Sequence, residues 1–423
     1  MQLTGERYTV ARSHVLRSNQ QEWAHWDRPG VLADYPSMGG VQSDSTLLTR
    51  AFAHAEIKHP ATGKPYSEAM LNGLCGGVGL LYAVFEYKGH APMLTVVCRS
   101  RSMPETFMTD VFDRVGAARQ VVKTSSERVA DEALDRALAA SKPAICVVDL
   151  ALLPHSHTGP EMAGMSPHYV AVVGSHEDHL WIDDRASKPL AIPRGEIAAA
   201  RGRYRKARQE LFTIDQGAQA VDWRACLIDA VHDTARTLQE GDPSVPASFR
   251  SNCGLAGLRK WQKLLTATKN KKGWPALFPS GPLAMTGLRR AYECIHTEST
   301  APEAGRPFYA DFLDEAHHLT SAESLQTAAE LFRASGAQWK ALGESIAGAP
   351  DAALRQACQL SDRRAEAMDA ADLQALRDLE SPAPEACQLS SDAAAAIYAS
   401  MAETLGEIVE LESQAAAALA ATA

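Results

Sequence analysis

Short apolar runs broken by polar turns fill the first half of the chain, and helical periodicity fills the second. Three runs, at 144–150, 169–174 and 180–183, are rich in valine and isoleucine and bounded by Pro, Gly, Asp or His. Runs of this kind are typical of β-strands. Apolar residues at helical spacing predict helices over 45–57, 67–71, 104–115 and 126–140. This mixture predicts an α+β fold.

From residue 216 onward the pattern is helical throughout. Candidate helices cover 222–239, 252–268, 282–298, 306–318, 322–347, 351–379 and 389–420. Several begin after Ser, Thr or Asp and end near Gly or Pro, as helices do. The pattern predicts a bundle of five to seven helices. The chain is thus divided into an N-terminal extension over 1–29, an α+β domain over 30–215 and an all-α domain over 216–423.

Charge is unevenly distributed along the 423 residues. The first 220 residues carry 24 basic and 24 acidic side chains, whereas the remainder carries 18 and 27, which accounts for the net charge of −9. This balance argues against nucleic acid as a partner. The exception is a basic run at Arg201, Arg203, Arg205, Lys206 and Arg208. A solvated face is the favoured interpretation of this run, and a contact for an acidic carrier protein or a phosphate is the alternative.

Several classes of protein are not expected. The eight cysteines are scattered without a CxxC pair, which favours reduced thiols over disulfides or a zinc module. The first twenty residues lack the apolar segment of a signal peptide, and no run approaches the length of a membrane span. No histidine, including His155 and His157, belongs to a metal-binding motif. We therefore expect a cytoplasmic protein without membrane contact or a metal.

The segment around His168 is where chemistry is most expected. His168 begins one predicted strand, a polar loop follows at 175–179, and the next strand ends at Asp184. Folding the strands back about residue 177 sets Asp184 opposite residue 169 or 170, where opposed side chains lie ~5 Å apart. A carboxylate beside a histidine holds it in one tautomer and stabilises its cation. Taken alone, the pattern favours a surface hairpin that happens to carry a histidine and an aspartate.

Further motifs surround this hairpin in a fixed order. GGVQSDS occupies 39–45, PYSEAML occupies 65–71, and GLCGGVGLLY occupies 73–82. Ile-Pro at 192–193 and Ala-Arg at 200–201 follow the hairpin, and RPFYADFL at 306–313 lies in the helical half. Together these motifs resemble the butirosin biosynthesis protein H family, in which a helical domain of unknown function follows the first domain.

The resemblance implies a papain-like (cysteine-peptidase-like) fold with an antiparallel sheet and a Cys-His-Asp triad. Members move an acyl group from a carrier-protein thioester to an amine through an acyl-enzyme. His168 would then be the general base and Asp184 its orienting carboxylate. The family's His-Cys-acid-Thr run aligns with Gln42-Ser43-Asp44-Ser45, so Ser43 stands where cysteine is expected and Gln42 where histidine is expected.

The serine leaves two interpretations open. A serine hydroxyl needs its base in place during attack, whereas a cysteine is partly ionised already. Ser43 at a helix N-terminus would have backbone N–H groups to stabilise developing charge, so it is a candidate nucleophile. The same position suits a helix cap with altered or lost chemistry.

Substrate contacts are expected from residues beside the motifs: Gln42, Asp44, Ser45, Cys75, Gly76, Gly77, Tyr82 and Tyr169. Cys75 has a competing interpretation as a small buried residue in a turn. Gly76 and Gly77 are expected to allow close backbone approach to the substrate or to the core.

The leading hypothesis is an acyltransferase of specialised metabolism. Its donor would be an acyl carrier protein or a small-molecule thioester, and its acceptor an amine or a hydroxyl. No resident cofactor is expected, although a partner would bring its own phosphopantetheine. A thioester hydrolase or cyclising chain-release enzyme is one alternative, and a degenerate binding protein without the family cysteine is another. The alanine-rich helices leave a homo-oligomer open.

Overall fold

The computed structural model describes residues 26–36, 39–101, 104–159, 162–298 and 302–423. The predicted N-terminal extension over 1–29 therefore lies almost entirely outside the described residues. Helices of the first half are α1 (Ser43–His54), α2 (Glu68–Leu74), α3 (Pro104–Val115), α4 (Glu127–Ala139) and α5 (Arg194–Arg203). Its strands are β1 (Val78–Phe85), β2 (Met93–Arg99), β3 (Ala117–Val122), β4 (Ala144–Asp149), β5 (Pro167–His176), β6 (His179–Asp183), β7 (Leu190–Pro193) and β8 (Leu211–Ala218).

Six of these strands form one sheet in the order β3-β8-β4-β5-β6-β7, and every pair in it is antiparallel. The predicted strands at 144–150, 169–174 and 180–183 are its central members, so the α+β assignment is confirmed. β5 and β6 form the predicted hairpin. It closes on the pair His176 and His179, and its register shifts between Val172 and Gly174.

Successive side chains of β5 serve two separate cores. Tyr169 and Val173 face a cluster that includes Phe52 of α1 and Phe112 of α3. Val170 and Val172 face a second cluster, covered by α4 and α5. Because alternate residues of a strand share a face, burial on both sides explains why this strand is a continuous apolar run.

The second half is helical, as predicted. Within the described residues it contains α6 (Trp223–Glu240), α7 (Gly254–Leu265), α8 (Trp274–Leu277), α9 (Gly281–His296), α10 (Arg306–Thr320), α11 (Glu323–Ala347), α12 (Ala352–Asp369), α13 (Leu373–Asp378) and α14 (Ser391–Ala420).

The expectation of one helix over 351–379 is wrong. Ala371 has a φ of 56°, in the left-handed region, so the helix is interrupted between α12 and α13. Asp372 then accepts a hydrogen bond from the Ala375 N–H at 2.9 Å and caps the start of α13. An aspartate cap inside an alanine-rich run is easily taken for an ordinary helical residue.

The two halves share their interior. β1 and β2 form a separate two-stranded sheet. Five residues of this sheet belong to a hydrophobic cluster whose other buried members come from the helical half: Leu80, Tyr82, Leu94, Val96 and Cys98. β8 also continues to Ala218, past the predicted boundary at residue 215.

A fully buried ion pair reinforces this junction. Arg306 donates from Nε and Nη2 to the two carboxylate oxygens of Glu412, at 2.8 and 2.9 Å, and neither side chain is exposed. Its remaining donors bind the carbonyls of Gly79 (2.9 Å), Cys98 (2.9 Å) and Ala304 (2.7 Å). Since Gly79 and Cys98 belong to β1 and β2, the ion pair joins this two-stranded sheet to α10 and α14.

Among the described residues, no helix is long and apolar enough to cross a membrane.

Candidate active site

His168 and Asp184 meet at the start of β5 and the end of β6. β6 pairs Asp183 with Ala171, so Asp184 follows the last residue pair of the hairpin. His168 Nε2 lies 2.9 Å from Asp184 Oδ1 and 3.0 Å from Oδ2. The contact predicted from the hairpin is therefore present. An ionised carboxylate only accepts, so Nε2 carries the hydrogen and Nδ1 of the neutral ring has the free lone pair.

A second imidazole binds the same carboxylate. His155 Nε2 lies 2.8 Å from Asp184 Oδ2, and the His155 side chain is almost completely buried. Burial alone would raise the pKa of Asp184, but the two imidazoles outweigh it and hold the pKa well below its usual range. Burial would lower the pKa of His168, but Asp184, with a smaller contribution from Asp44, raises it above its ordinary value.

The two consecutive aspartates at the end of β6 have opposite orientations. Asp183 pairs with Arg50 of α1 and accepts a hydrogen bond from the Tyr35 hydroxyl at 2.7 Å. Asp184 faces the two histidines instead. Since successive residues of a strand alternate between faces, one carboxylate anchors α1 to the sheet and the other holds imidazoles.

Ser43 is the first residue of α1 and is partly exposed. Its neighbours lie close to the hairpin, because Arg185 donates to the Val41 carbonyl at 3.4 Å. The side chain of the N-cap residue, Gln42, accepts no hydrogen bond from the first turn of the helix. Within the described residues, Ser43 Oγ forms no hydrogen bond, so the structure does not join Ser43 to His168 directly.

Glu68 fixes the segment that precedes and begins α1. Its buried carboxylate accepts hydrogen bonds from the backbone N–H groups of Val41 and Gln42 and from the hydroxyls of Ser45 and Thr46, all within 3.0 Å. The Ser45 hydroxyl is therefore committed to Glu68. The motif at 65–71 pointed to this segment, but only the fold reveals that its glutamate reaches back to residue 41.

Charged and amide side chains complete the surroundings of Ser43. Asp44 accepts a hydrogen bond from Arg99 at 2.5 Å, and both side chains are mostly buried. Gln42 Oε1 accepts from Asn72 at 2.6 Å. Arg99 was not expected at the site, because it lies at the end of β2, a strand that the sequence pattern did not predict.

The remaining predicted contact residues lie in the interior. Cys75 is buried, donates to the Phe107 carbonyl at 3.2 Å, and burial raises the pKa of its thiol well above the ordinary value. Tyr82 accepts a hydrogen bond from Trp274 at 3.0 Å, within the cluster of the helical half. Tyr169 packs edge-on against Phe212, on the face of β5 opposite to Val170.

Gly76 and Gly77 form a turn with positive φ angles of 82° and 49°. A methyl group on Gly77 would fall 2.0 Å from the ring of Tyr309 in α10. The Gly76 carbonyl accepts from Thr234 at 2.7 Å. Of the two expected uses, close approach to the core is the one that the described residues display.

Cavities are also present away from the histidine cluster. One of about 500 Å³ is at the C-terminal end of α1, between His54 and Lys142, and contains none of the predicted site residues. Another, of about 430 Å³, is lined by Gly164, Arg203, Arg205 and Lys206. It lies beside the segment that leads into His168, and its three cations are exposed.

The protein therefore has an α+β fold with an antiparallel sheet. The imidazole–carboxylate–imidazole cluster at one end of this sheet contains groups that can transfer protons. Residues 42–185 match the family described as Butirosin biosynthesis protein H, N-terminal. Residues 196–383 match the domain of unknown function DUF4872. No curated protein matches the chain. The predicted resemblance to the butirosin biosynthesis protein H family is therefore confirmed, because the two matches follow each other in the predicted order. This family is associated with antibiotic biosynthesis and implies a biosynthetic enzyme.

Proposed function

We propose that this protein is an acyltransferase that takes an acyl group from a thioester and transfers it to an amine or hydroxyl. The observation that carries the proposal is the hydrogen-bonded pair of His168 and Asp184 beside the start of α1. A papain-like arrangement of these elements is part of the proposal. The thioester would be held on a carrier protein or a small thiol.

In the first step, Ser43 Oγ attacks the thioester carbonyl and its proton passes to His168 Nδ1. The backbone N–H groups at the start of α1 stabilise the oxyanion, since helix N-termini favour negative charge. The carbon–sulfur bond then breaks, and the thiol leaves with the proton from His168. An amine or hydroxyl next attacks the acyl-serine, and His168 accepts its proton. The bond between the acyl carbon and Ser43 Oγ then breaks, and His168 returns the proton to Oγ.

Asp184 orients the imidazole and stabilises its cation, which is the role of the carboxylate in Ser-His-Asp sites. No hydrogen bond joins Ser43 to His168 among the described residues, and such contacts often tighten only when substrate is bound. The basic cavity at Arg203, Arg205 and Lys206 suits the phosphate of a carrier-bound phosphopantetheine.

The test is covalent trapping on Ser43. After incubation with an acyl thioester, intact-mass measurement should show one added acyl group, and peptide mapping should place it on Ser43. Ser43→Ala should abolish the adduct, and Ser43→Cys should form it faster, because a thiol is more readily ionised than a hydroxyl. Cys75→Ser is the matched control and should acylate as the wild type does.

The identity of the acyl acceptor distinguishes an acyltransferase from a hydrolase or chain-release enzyme. Added amines that raise turnover and appear in the product support acyl transfer. Free acid or a cyclic product whatever amine is present would indicate a hydrolase or chain-release enzyme. No adduct with any thioester, in the wild type or in Ser43→Cys, would overturn the catalytic proposal in favour of a binding protein.

A further inference from the structure

The segment that carries Asp184 is held by the helical half of the chain. The Ser187 backbone N–H and hydroxyl both donate to the carbonyl of Asp369, at 3.2 and 2.5 Å. Asp369 is the last residue of α12. On its other side the segment is held by Arg50, which donates to the Ala186 carbonyl at 3.0 Å. The loop just after β6 is thus clamped between α1 and α12.

Apolar contacts reach the same region from the same helices. Met368, Ala371 and Leu373, around the break between α12 and α13, pack against the hydrophobic cluster that contains Leu153 and Ala186. Leu153 precedes His155 by two residues, and Ala186 follows Asp184 by two. The break between α12 and α13 therefore packs against a cluster to which both segments that converge on the Asp184 carboxylate contribute.

We propose that the junction of α12 and α13, residues 368–373, is a positioning element that keeps Asp184 and His155 aligned with His168. It supplies no reacting group. We expect it to influence the reaction only through the positions of Asp184 and His155, because catalytic groups must stay within about 0.5 Å of their productive positions. The domain of unknown function would thus complete the site of the domain before it.

The effect on turnover rests on the proposed function, whereas the effect on the geometry does not. The effect on turnover is measured by the kinetics of acyl transfer. The effect on the geometry is measured by NMR titration of the His168 imidazole in the full-length protein. The His168 resonance is assigned as the one that disappears in His168→Gln. The two readouts therefore separate failure of this proposal from failure of the proposed function.

The variant is Leu373→Ala combined with Ser187→Ala, which leaves every proposed reacting residue unchanged. Its control is Leu331→Ala combined with Ser345→Ala. Leu331 is also partly buried but packs against a different cluster, and the Ser345 hydroxyl donates to the Leu342 carbonyl within α11. Both variants therefore lose the same atoms.

In the test variant, the titration midpoint of His168 should fall, because a displaced carboxylate stabilises the imidazolium less. Acyl transfer should slow on the order of tenfold to a hundredfold in kcat with KM little changed, as expected for misplacement near 1 Å. The control should match the wild type in both readouts.

Overlapping titrations of the folded test variant, its control and the wild type would overturn the proposal. If the double variant does not fold, Ser187→Ala alone is compared with Ser345→Ala by the same criteria. A shifted titration in a protein that never acylates would support the positioning role and reject the acyltransferase.

Discussion

At the scale of single residues, the unusual feature is one carboxylate shared by two imidazoles. His155 Nδ1 is buried, and it has no hydrogen-bond partner in the part of the chain that the structure describes. His155 therefore contacts the carboxylate through Nε2 alone. At His168, Asp184 outweighs burial and raises the pKa above its ordinary value.

Replacing His155 should change the titration of His168. In His155→Leu, Asp184 loses one donor and becomes a better acceptor, so the pKa of His168 should rise above its wild-type value. The base form of His168 would then appear at higher pH, and the acid limb of the acylation rate should move upward. His155→Gln keeps a donor, so it should shift the pKa of His168 and the acid limb of the acylation rate by less. A fall in the pKa of His168 in the leucine variant would contradict this view, and NMR titration measures it.

His168 and Asp184 could be paired from the sequence because a short hairpin joins them, so strand geometry alone brings them together. His155 lies 29 residues from Asp184 and reaches it through a loop, for which no periodicity applies. The sequence places it in no metal-binding motif and could not assign it a partner. Glu68 shares this difficulty, since its partners depend on how α1 and α2 pack.

At the scale of elements, the short segment before α1 depends on Glu68 of α2. Two backbone N–H groups and two hydroxyls converge on one buried carboxylate, which satisfies donors that lie away from water. Ser43, the first residue of α1, lies between the backbone donors and the two hydroxyls. The anchor therefore sets where the proposed nucleophile is held.

Glu68→Gln should weaken this anchor, because an amide has one acceptor oxygen and its NH2 group would face donors. The free energy of unfolding should fall by about 1–3 kcal/mol, the usual cost of leaving buried polar groups unpaired. Glu105→Gln, on the exposed first turn of α3, is the matched control and should change it by less than ~0.5 kcal/mol. Denaturant titration measures both, and equal effects would show that Glu68 is no anchor.

The elements themselves were unequally predictable. Strands buried on both faces are distinctive, so β4, β5 and β6 were found. β1 and β2 were missed, since a glycine-rich turn precedes β1 and the partners that cover it lie beyond residue 250. β8 was missed because its apolar start is followed by the polar residues Asp215 and Gln216 and by Gly217. The sequence thus predicted the centre of the sheet but not what joins it to the helices.

At the scale of the whole molecule, the Arg306–Glu412 pair holds the two halves together. Glu412→Ala would leave a buried guanidinium without its counter-ion, a change that typically costs 3–5 kcal/mol, so we expect a loss of about that size. Unfolding should remain a single transition, because the hydrophobic cluster also crosses the junction. Glu410→Ala, exposed on the same helix, should be nearly neutral. Thermal unfolding that separated into two steps would contradict the shared interior.

The hairpin of β1 and β2 also limits how such chains can be rearranged in evolution. A gene fusion that separated the first domain from the second would expose Tyr82, Leu94 and Val96. The turn at Gly77 would also lose its close contact with the ring of Tyr309. Exposed apolar patches of this kind promote aggregation. The two domains should therefore be inherited together, and lineages that lost the second should carry polar side chains along this hairpin.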